Sequence, residues 1–210
     1  MYGQSGLHRY QLGAPEPERS VELSPELFAE GICLTGSHLW QLTWRERVAL
    51  RWDPVAMELL ETIGYNREGW GICQVGEHVV TSDGSSELVW RDPQELKPLG
   101  LIKVRLSGER LDGLNDLTWD GIRIWANIWG KPHLAAIDPA SGEVTDLADG
   151  RAARERYVRD PDAVMNGISA LAAPGEFLLT GKRWRSLYHV RLAPAAHRRA
   201  LKPGQLLARR

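Results

Sequence analysis

The chain repeats itself, and the repeat limits what it can fold into. Three segments, RVALRWDP ending at Pro54, SELVWRDP ending at Pro93 and HLAAIDP ending at Pro139, each read as an apolar strand closed by an Asp-Pro turn signal. Their aspartates, Asp53, Asp92 and Asp138, lie 39 and 46 residues apart. GLHRYQLGAP near the start and LYHVRLAP near the end are weaker copies, so this unit occurs five times. A different unit precedes it, four times only: FAEGICLTGSHLWQLTW, REGWGICQVGEHVVTSDGS, LNDLTWDGIRIWANIW and MNGISALAAPGEFLLTGKRW. Each reads as a short strand, a Gly-centred turn and a second strand. Aligned on one another, these copies put Glu30, Glu68, Asn115 and Asn166 in one slot, at intervals of 38, 47 and 51 residues.

Repeats of about 40–50 residues built from four short strands are the pattern of a β-propeller. Helical repeats would carry a 3.6-residue period, which is absent here. The expectation is an all-β, five-bladed β-propeller forming a single domain over residues 1–194. Its first two strands of one blade are missing at the N-terminus, because the fifth copy of the first-half unit would precede Met1. Such a gap leaves an unpaired strand edge and one open side of the channel. Two segments fall outside the repeat. RAARERYVRDPD, residues 151–162, is charged and reads as a short surface helix or loop. HRRALKPGQLLARR, from His197, has five Lys/Arg and no acid, so residues 195–210 read as a basic, solvated tail.

Composition removes several functional classes. Twenty-six cations against twenty-seven anions give no global attraction to nucleic acid. No apolar run approaches the ~18–20 residues that cross a bilayer, so no membrane association is expected. MYGQSGLHRYQL has neither a basic n-region nor an apolar h-region; as written the chain would stay in the cytoplasm, and an upstream start could restore both a signal segment and the missing strands. Cys33 and Cys73 lack metal-ligand partners at useful spacing and the six histidines are scattered singly, so neither a metal nor another cofactor is expected. The cysteines read as small core residues, not a disulfide. Nine tryptophans fit either core packing or ring-lined clefts.

Glu30 poses the sharpest question. It stands between Ala29 and Gly31 in an apolar run, and an unpaired buried carboxylate is costly. Either it is paired structurally, satisfying backbone groups at the channel end of an inner strand, or it is kept for chemistry.

The motifs YGQSGL, F-x-EG-I, QLTW, EGWG, SDGSSEL, LND, IWANIW, IDPASGEV, MNGIS and TGKRW, in this order from Tyr2 to about Pro194, resemble those of the plant- and bacterial-type glutaminyl cyclases, also called glutamine cyclotransferases. The resemblance implies a five-bladed propeller without catalytic zinc. It implies an aminoacyltransferase that cyclises N-terminal glutamine of peptides or proteins to pyroglutamate and releases ammonia. Glu30 matches the family's catalytic glutamate and would shuttle the proton. Asn115 and Lys182 match polar groups reaching into the site, and Phe28, Trp44, Trp70 and Trp129 match its aromatic walls; Asn127 and Trp125 match less firmly. The chain departs from the family in having no copy of a first inner strand resembling F-T-Q-G, which helps line the pocket. Two other functions compete: a non-catalytic propeller that keeps the fold and binds peptides or another ligand, and another propeller enzyme, such as a metal-dependent lactonase or phosphatase-like hydrolase, using Glu30, Glu68, Asn115 and Asn166.

Overall fold

The computed structural model describes residues 2–154, 160 and 162–193. The expected basic tail and the end of the expected domain lie outside the described residues. Of the segment at residues 151–162, the helix α1 (Arg151–Arg154) is described and carries the only helical turn among the described residues.

Strands β1 (Gly6–Arg9) and β2 (Arg19–Glu22) form a two-stranded antiparallel sheet. Next come three four-stranded antiparallel sheets. The first joins β3 (Ala29–Thr35), β4 (His38–Thr43), β5 (Val48–Trp52) and β6 (Leu59–Gly64). The second joins β7 (Ile72–Val75), β8 (His78–Thr81), β9 (Glu87–Arg91) and β10 (Pro98–Lys103). After a hairpin of β11 (Arg105–Leu106) and β12 (Glu109–Arg110), the third joins β13 (Leu114–Trp119), β14 (Ile124–Ile128), β15 (His133–Ile137) and β16 (Val144–Asp149). A three-stranded sheet of β17 (Met165–Ala170), β18 (Glu176–Gly181) and β19 (Tyr188–Arg191) follows. The protein is all-β and propeller-like, with four blades of consecutive antiparallel strands.

The Asp-Pro signal does the same work each time. The Asp53 carboxylate accepts from the backbone N–H of Val55 and Ala56 at 2.8 and 2.7 Å, and Asp92 does so from Gln94 and Glu95 at 2.9 and 2.8 Å. Asp138 accepts from Ala140 at 2.8 Å. Four residues after each aspartate the chain enters the left-handed region, at Met57 (φ 50°), Leu96 (φ 53°) and Gly142 (φ 76°), and that residue's N–H bonds the aspartate carbonyl. The Asx turn thus reverses the chain from the third to the fourth strand of each of the three four-stranded blades. Met57 and Leu96 tolerate a conformation that disfavours a Cβ because their side chains are buried, at 4% and 3% exposure.

Apolar clusters lie between successive sheets. Trp40, Leu42 and Ala49 of the first blade meet Ile72 and Val79 of the second, and Trp40 donates its indole N–H to Pro93 O at 2.8 Å. Val80 and Leu88 of the second blade share a cluster with Leu117 and Ala126 of the third; Leu134 and Ala136 of the third share one with Ile168 and Phe177 of the fourth. Along each strand, successive side chains point to opposite faces of the sheet. Directly opposed residues share a face, so Ile32, Gln41 and Leu50 lie together, as do Leu34, Leu39 and Trp52. The β1–β2 sheet covers the outer part of that face, packing Leu7 on Leu50 and Trp52. The inner part stays bare: Ile32 and Leu34 are 50% and 54% exposed, whereas Ile72, the residue matching Ile32 one blade later, is 1% exposed.

The structure corrects the register of the first-half copies. The turn glycines Gly36 and Gly76 (φ 57° and 58°), and the pairs Cys33↔Trp40 and Cys73↔Val80, fix an offset of 40 residues between the first two blades. Glu30 is therefore matched by Trp70, and Glu68 belongs two residues earlier, opposite Phe28 in the alignment. The slot shared by Glu30, Asn115 and Asn166 does not include Glu68. Cys33 and Cys73 are free, as expected, in equivalent places on β3 and β7.

Candidate active site

One end of the innermost strands gathers almost every residue singled out from the sequence. Phe28 stands just before β3 and Glu30 at its start, Trp70 just before β7, Asn115 at the start of β13, and Trp44, Trp129 and Lys182 just past the ends of β4, β14 and β18. Backbone hydrogen bonds hold these ends together: Trp44 N–H to Phe28 O at 3.0 Å, Gly31 N–H to Trp70 O at 2.9 Å and Lys182 N–H to Val164 O at 2.9 Å. The strands crowd most closely here. A Cβ on Gly31 would sit 2.8 Å from Trp70 O, and one on Gly71 only 2.2 Å from Asn115 O, which gives the GIC motifs their glycines a physical reason.

The side chains close into a collar. Phe28 meets Trp44 edge-on at 5.5 Å between ring centroids. The Trp44 indole N–H donates to Glu68 Oε2 at 2.9 Å, and the Trp70 indole N–H donates to the same oxygen at 3.1 Å. Trp70 meets Trp129 edge-on at 5.8 Å. Lys182 Nζ lies 4.7 Å from the Trp129 ring centroid and 5.3 Å from that of Phe28, completing the circuit. Outside it, Tyr2 packs on Phe28 at 5.4 Å and donates its hydroxyl to Glu46 Oε1 at 2.6 Å, while Glu46 Oε2 accepts from Phe28 N–H.

Glu30 joins the collar through Lys182, whose Nζ lies 3.7 Å from Glu30 Oε1. Its side chain is only 12% exposed. Burial pushes its pKa up to about 7, the Lys182 ammonium pulls it down and the nearby Asp116 carboxylate pushes it up. Glu30 and Asp116 both line a cavity of about 620 Å³ that runs along the innermost strands, with Trp70 at its wall. Asp116, also pushed up by burial to about 6, accepts the N–H of Ile168 at 2.8 Å and so ties β13 to β17.

Asn115 and Asn127 are buried at 3% and 0% exposure. Asn115 Oδ1 and Asn127 Nδ2 have no hydrogen-bond partner, although such buried atoms are nearly always satisfied. The other end of Asn127 accepts from Gly167 N–H at 3.2 Å. An open acceptor and an open donor of this kind are what an amide group can satisfy. Trp125 is not part of the collar: its indole N–H donates to Asp120 at 2.7 Å and its ring packs on Phe177 between blades.

Glu46, Tyr2 and Asp116 join the candidate residues only through the structure, and Glu68, read from the sequence only as a member of the Glu30 slot, takes a different place in the collar. For Glu68 the local signal was EGWG, a carboxylate two residues before a tryptophan. Trp70 is also fixed from behind, because a Cβ built on Gly84 (φ 81°) would lie 2.6 Å from its ring. Gly84→Ala is therefore expected to displace Trp70 and raise the KM of the reaction proposed below by about 10-fold or more, a loss read from initial rates against peptide concentration.

Fold and site define a class: a propeller-like β protein with a buried carboxylate set against a collar of aromatic rings at one end of its innermost strands. The chain belongs to the glutamine cyclotransferase family, whose model matches residues 1–192. It is 28% identical over 203 residues to the glutaminyl-peptide cyclotransferase of Arabidopsis thaliana, an alignment covering 93% of this chain and 62% of that protein. The chain thus spans less than two thirds of the curated relative's length. Among solved structures, the glutaminyl cyclase of Myxococcus xanthus superposes with a TM-score of 0.83 at 34% identity, covering 90% of this chain and 82% of that one. The WD40 domain of Neurospora crassa Pan2 shares the fold alone, with a TM-score of 0.51 at 9% identity, over 83% of this chain and 52% of that one.

Proposed function

We propose that this chain is a glutaminyl-peptide cyclotransferase, converting N-terminal glutamine of peptides or proteins to pyroglutamate and ammonia. The observation that carries the reading is Glu30: a buried carboxylate with a pKa near 7, paired to Lys182 and set against the collar. A group with that affinity holds and releases a proton with equal ease near neutrality. The free α-amine attacks the side-chain amide carbon, forming the C–N bond of the lactam and a tetrahedral oxyanion. Glu30 takes the proton from the attacking nitrogen and returns it to the departing one, the old C–N bond breaks, and NH₃ leaves. Lys182 supplies positive charge beside the developing oxyanion, and Asn115 anchors the amide. Phe28, Trp44, Trp70 and Trp129 wall the glutamine side chain and keep water from it. The chemistry is of the zinc-independent type, with every step run by side chains of the chain. Glu68 is committed to two indoles and lies outside the slot of Glu30, Asn115 and Asn166, so the register on which the metal-dependent hydrolase reading rested does not hold.

The same reading makes the ring five-bladed over a single domain. β1–β2 is then the outer half of a blade whose inner half pairs with β1 and covers Ile32 and Leu34. The bareness of those two residues supports this, and it also favours the second reading, a propeller that binds peptides through an open channel without turning them over. Mass spectrometry of a Gln-initiated peptide incubated with the protein separates the two. Loss of ammonia above the spontaneous rate supports the enzyme, and peptide binding with no mass change sinks it.

A further inference from the structure

We propose that Glu68 is a positioning residue of the site, a clamp that sets the angle of the substrate-facing rings of Trp44 and Trp70. The inference rests on the cyclotransferase reading and adds to it a residue with a role of its own. One carboxylate oxygen accepts both indole N–H groups, at 2.9 and 3.1 Å. The two rings come from different blades, Trp44 from the end of β4 and Trp70 from the approach to β7. Backbone bonds from Gly69 N–H to Thr43 O and Trp44 O fix where the two chains meet, but leave each indole free to turn about its side-chain torsions. A shared acceptor removes that freedom for both at once.

The acceptor is itself held. Arg45 Nε lies 3.8 Å from Glu68 Oε1, and the same guanidinium lies over the Trp44 ring at 3.9 Å from its centroid. Arg45 thus closes a small triangle, with Trp44 bonded to Glu68 at its edge and covered by Arg45 on its face. A carboxylate suits this place because it offers several lone pairs to converging donors, and bonds to an ionised acceptor are the stronger kind. In the circuit of the collar, Glu68 is the link between Phe28–Trp44 on one side and Trp70–Trp129 on the other. Without it the two aromatic pairs are joined only through Lys182.

A clamp acting on walls that touch substrate before and during the reaction changes binding more than chemistry, which separates it from Glu30. In Glu68→Ala the expected result is a KM raised about 10- to 100-fold with kcat within about 3-fold of wild type. Glu68→Gln keeps one carbonyl oxygen for both indoles, so its KM should return to within about 3-fold of wild type even though the Arg45 ion pair is gone. The indole N–H resonances of Trp44 and Trp70 in ¹⁵N-labelled protein, assigned with Trp→Phe variants, should both move in Glu68→Ala, and much less in Glu68→Gln. Unmoved resonances, or a Glu68→Ala KM equal to wild type, overturn the clamp. A Glu68→Gln variant as impaired as Glu68→Ala also overturns it, since charge and not ring placement would then be the cause. If wild type turns over no peptide yet both resonances move in Glu68→Ala only, the cyclotransferase reading fails while the clamp stands.

Discussion

Replacing Glu30 by glutamine is expected to cut kcat by about 10²- to 10⁴-fold while leaving the folded protein at least as stable as wild type at pH 8. The loss of rate follows from chemistry: an amide cannot take a proton from the attacking amine and return it to the leaving nitrogen. The gain in stability follows from linkage. Burial raises the Glu30 pKa from 4.5 to about 7, so between those values the folded state binds more protons than the unfolded one. Stability contributed by this group is then complete below pH 4.5, falls as pH rises, and is lost above about 7, where a charge must be kept buried. Glutamine carries no such charge. The variant should match wild type near pH 4.5 and exceed it by about 1–3 kcal/mol at pH 8, part of the difference being offset by the Lys182 partner it loses. Asp116, raised to about 6, adds a slope of its own to both proteins, and its repulsion of the Glu30 carboxylate is relieved in the variant, which adds to the variant's advantage at pH 8. Urea denaturation at the two pH values reads the stability, and the peptide assay reads the rate. A Glu30→Gln protein that is both inactive and less stable at pH 8 would make Glu30 a structural residue after all.

Much of this was legible in the sequence because it is local. An Asp-Pro pair with an Asx turn behind it needs only five consecutive residues, so Asp53, Asp92 and Asp138 marked the same corner three times. The aromatic motifs were readable for the same reason. What local pattern cannot carry is register when a copy gains residues before its first strand. Glu68 aligns with Glu30 by type, yet the glycines of the hairpin turns, Gly36 and Gly76, move it out of that slot. Nor does spacing separate a wall from a core. Trp40 and Trp52 are buried at 0% and 3% exposure in apolar clusters between sheets, and Trp44 and Trp70 are half-buried at the collar, though the residues beside them in the sequence do not tell the two pairs apart. Only contacts across blades distinguish them. The same holds for Asn127, whose open Nδ2 depends on a bond its other end makes 40 residues away to Gly167.

Lys182→Met should show two effects that a solvated lysine would not, and both come from the same 3.7 Å contact. The first is a fall in kcat of about 10²- to 10³-fold, because the ammonium beside the reacting amide no longer meets the oxyanion. Methionine keeps the length and apolar stem of the side chain, so packing against Phe28 and Trp129 is largely retained and the loss is one of charge. The second is a displaced pH profile. Burial and Asp116 both push the Glu30 carboxyl up, and Lys182 is the principal group pulling it down, so without the ammonium its pKa moves above 7. The acidic limb of kcat/KM, which in wild type should rise through about 7 as Glu30 ionises, would then shift to higher pH. The two effects can be told apart by working at pH 9: the limb recovers there as Glu30 ionises, whereas the oxyanion deficit does not. A variant whose rate is restored in full at high pH would confine Lys182 to tuning Glu30, and one with an unshifted limb would show that the ion pair does not govern the proton on which the proposed reaction turns.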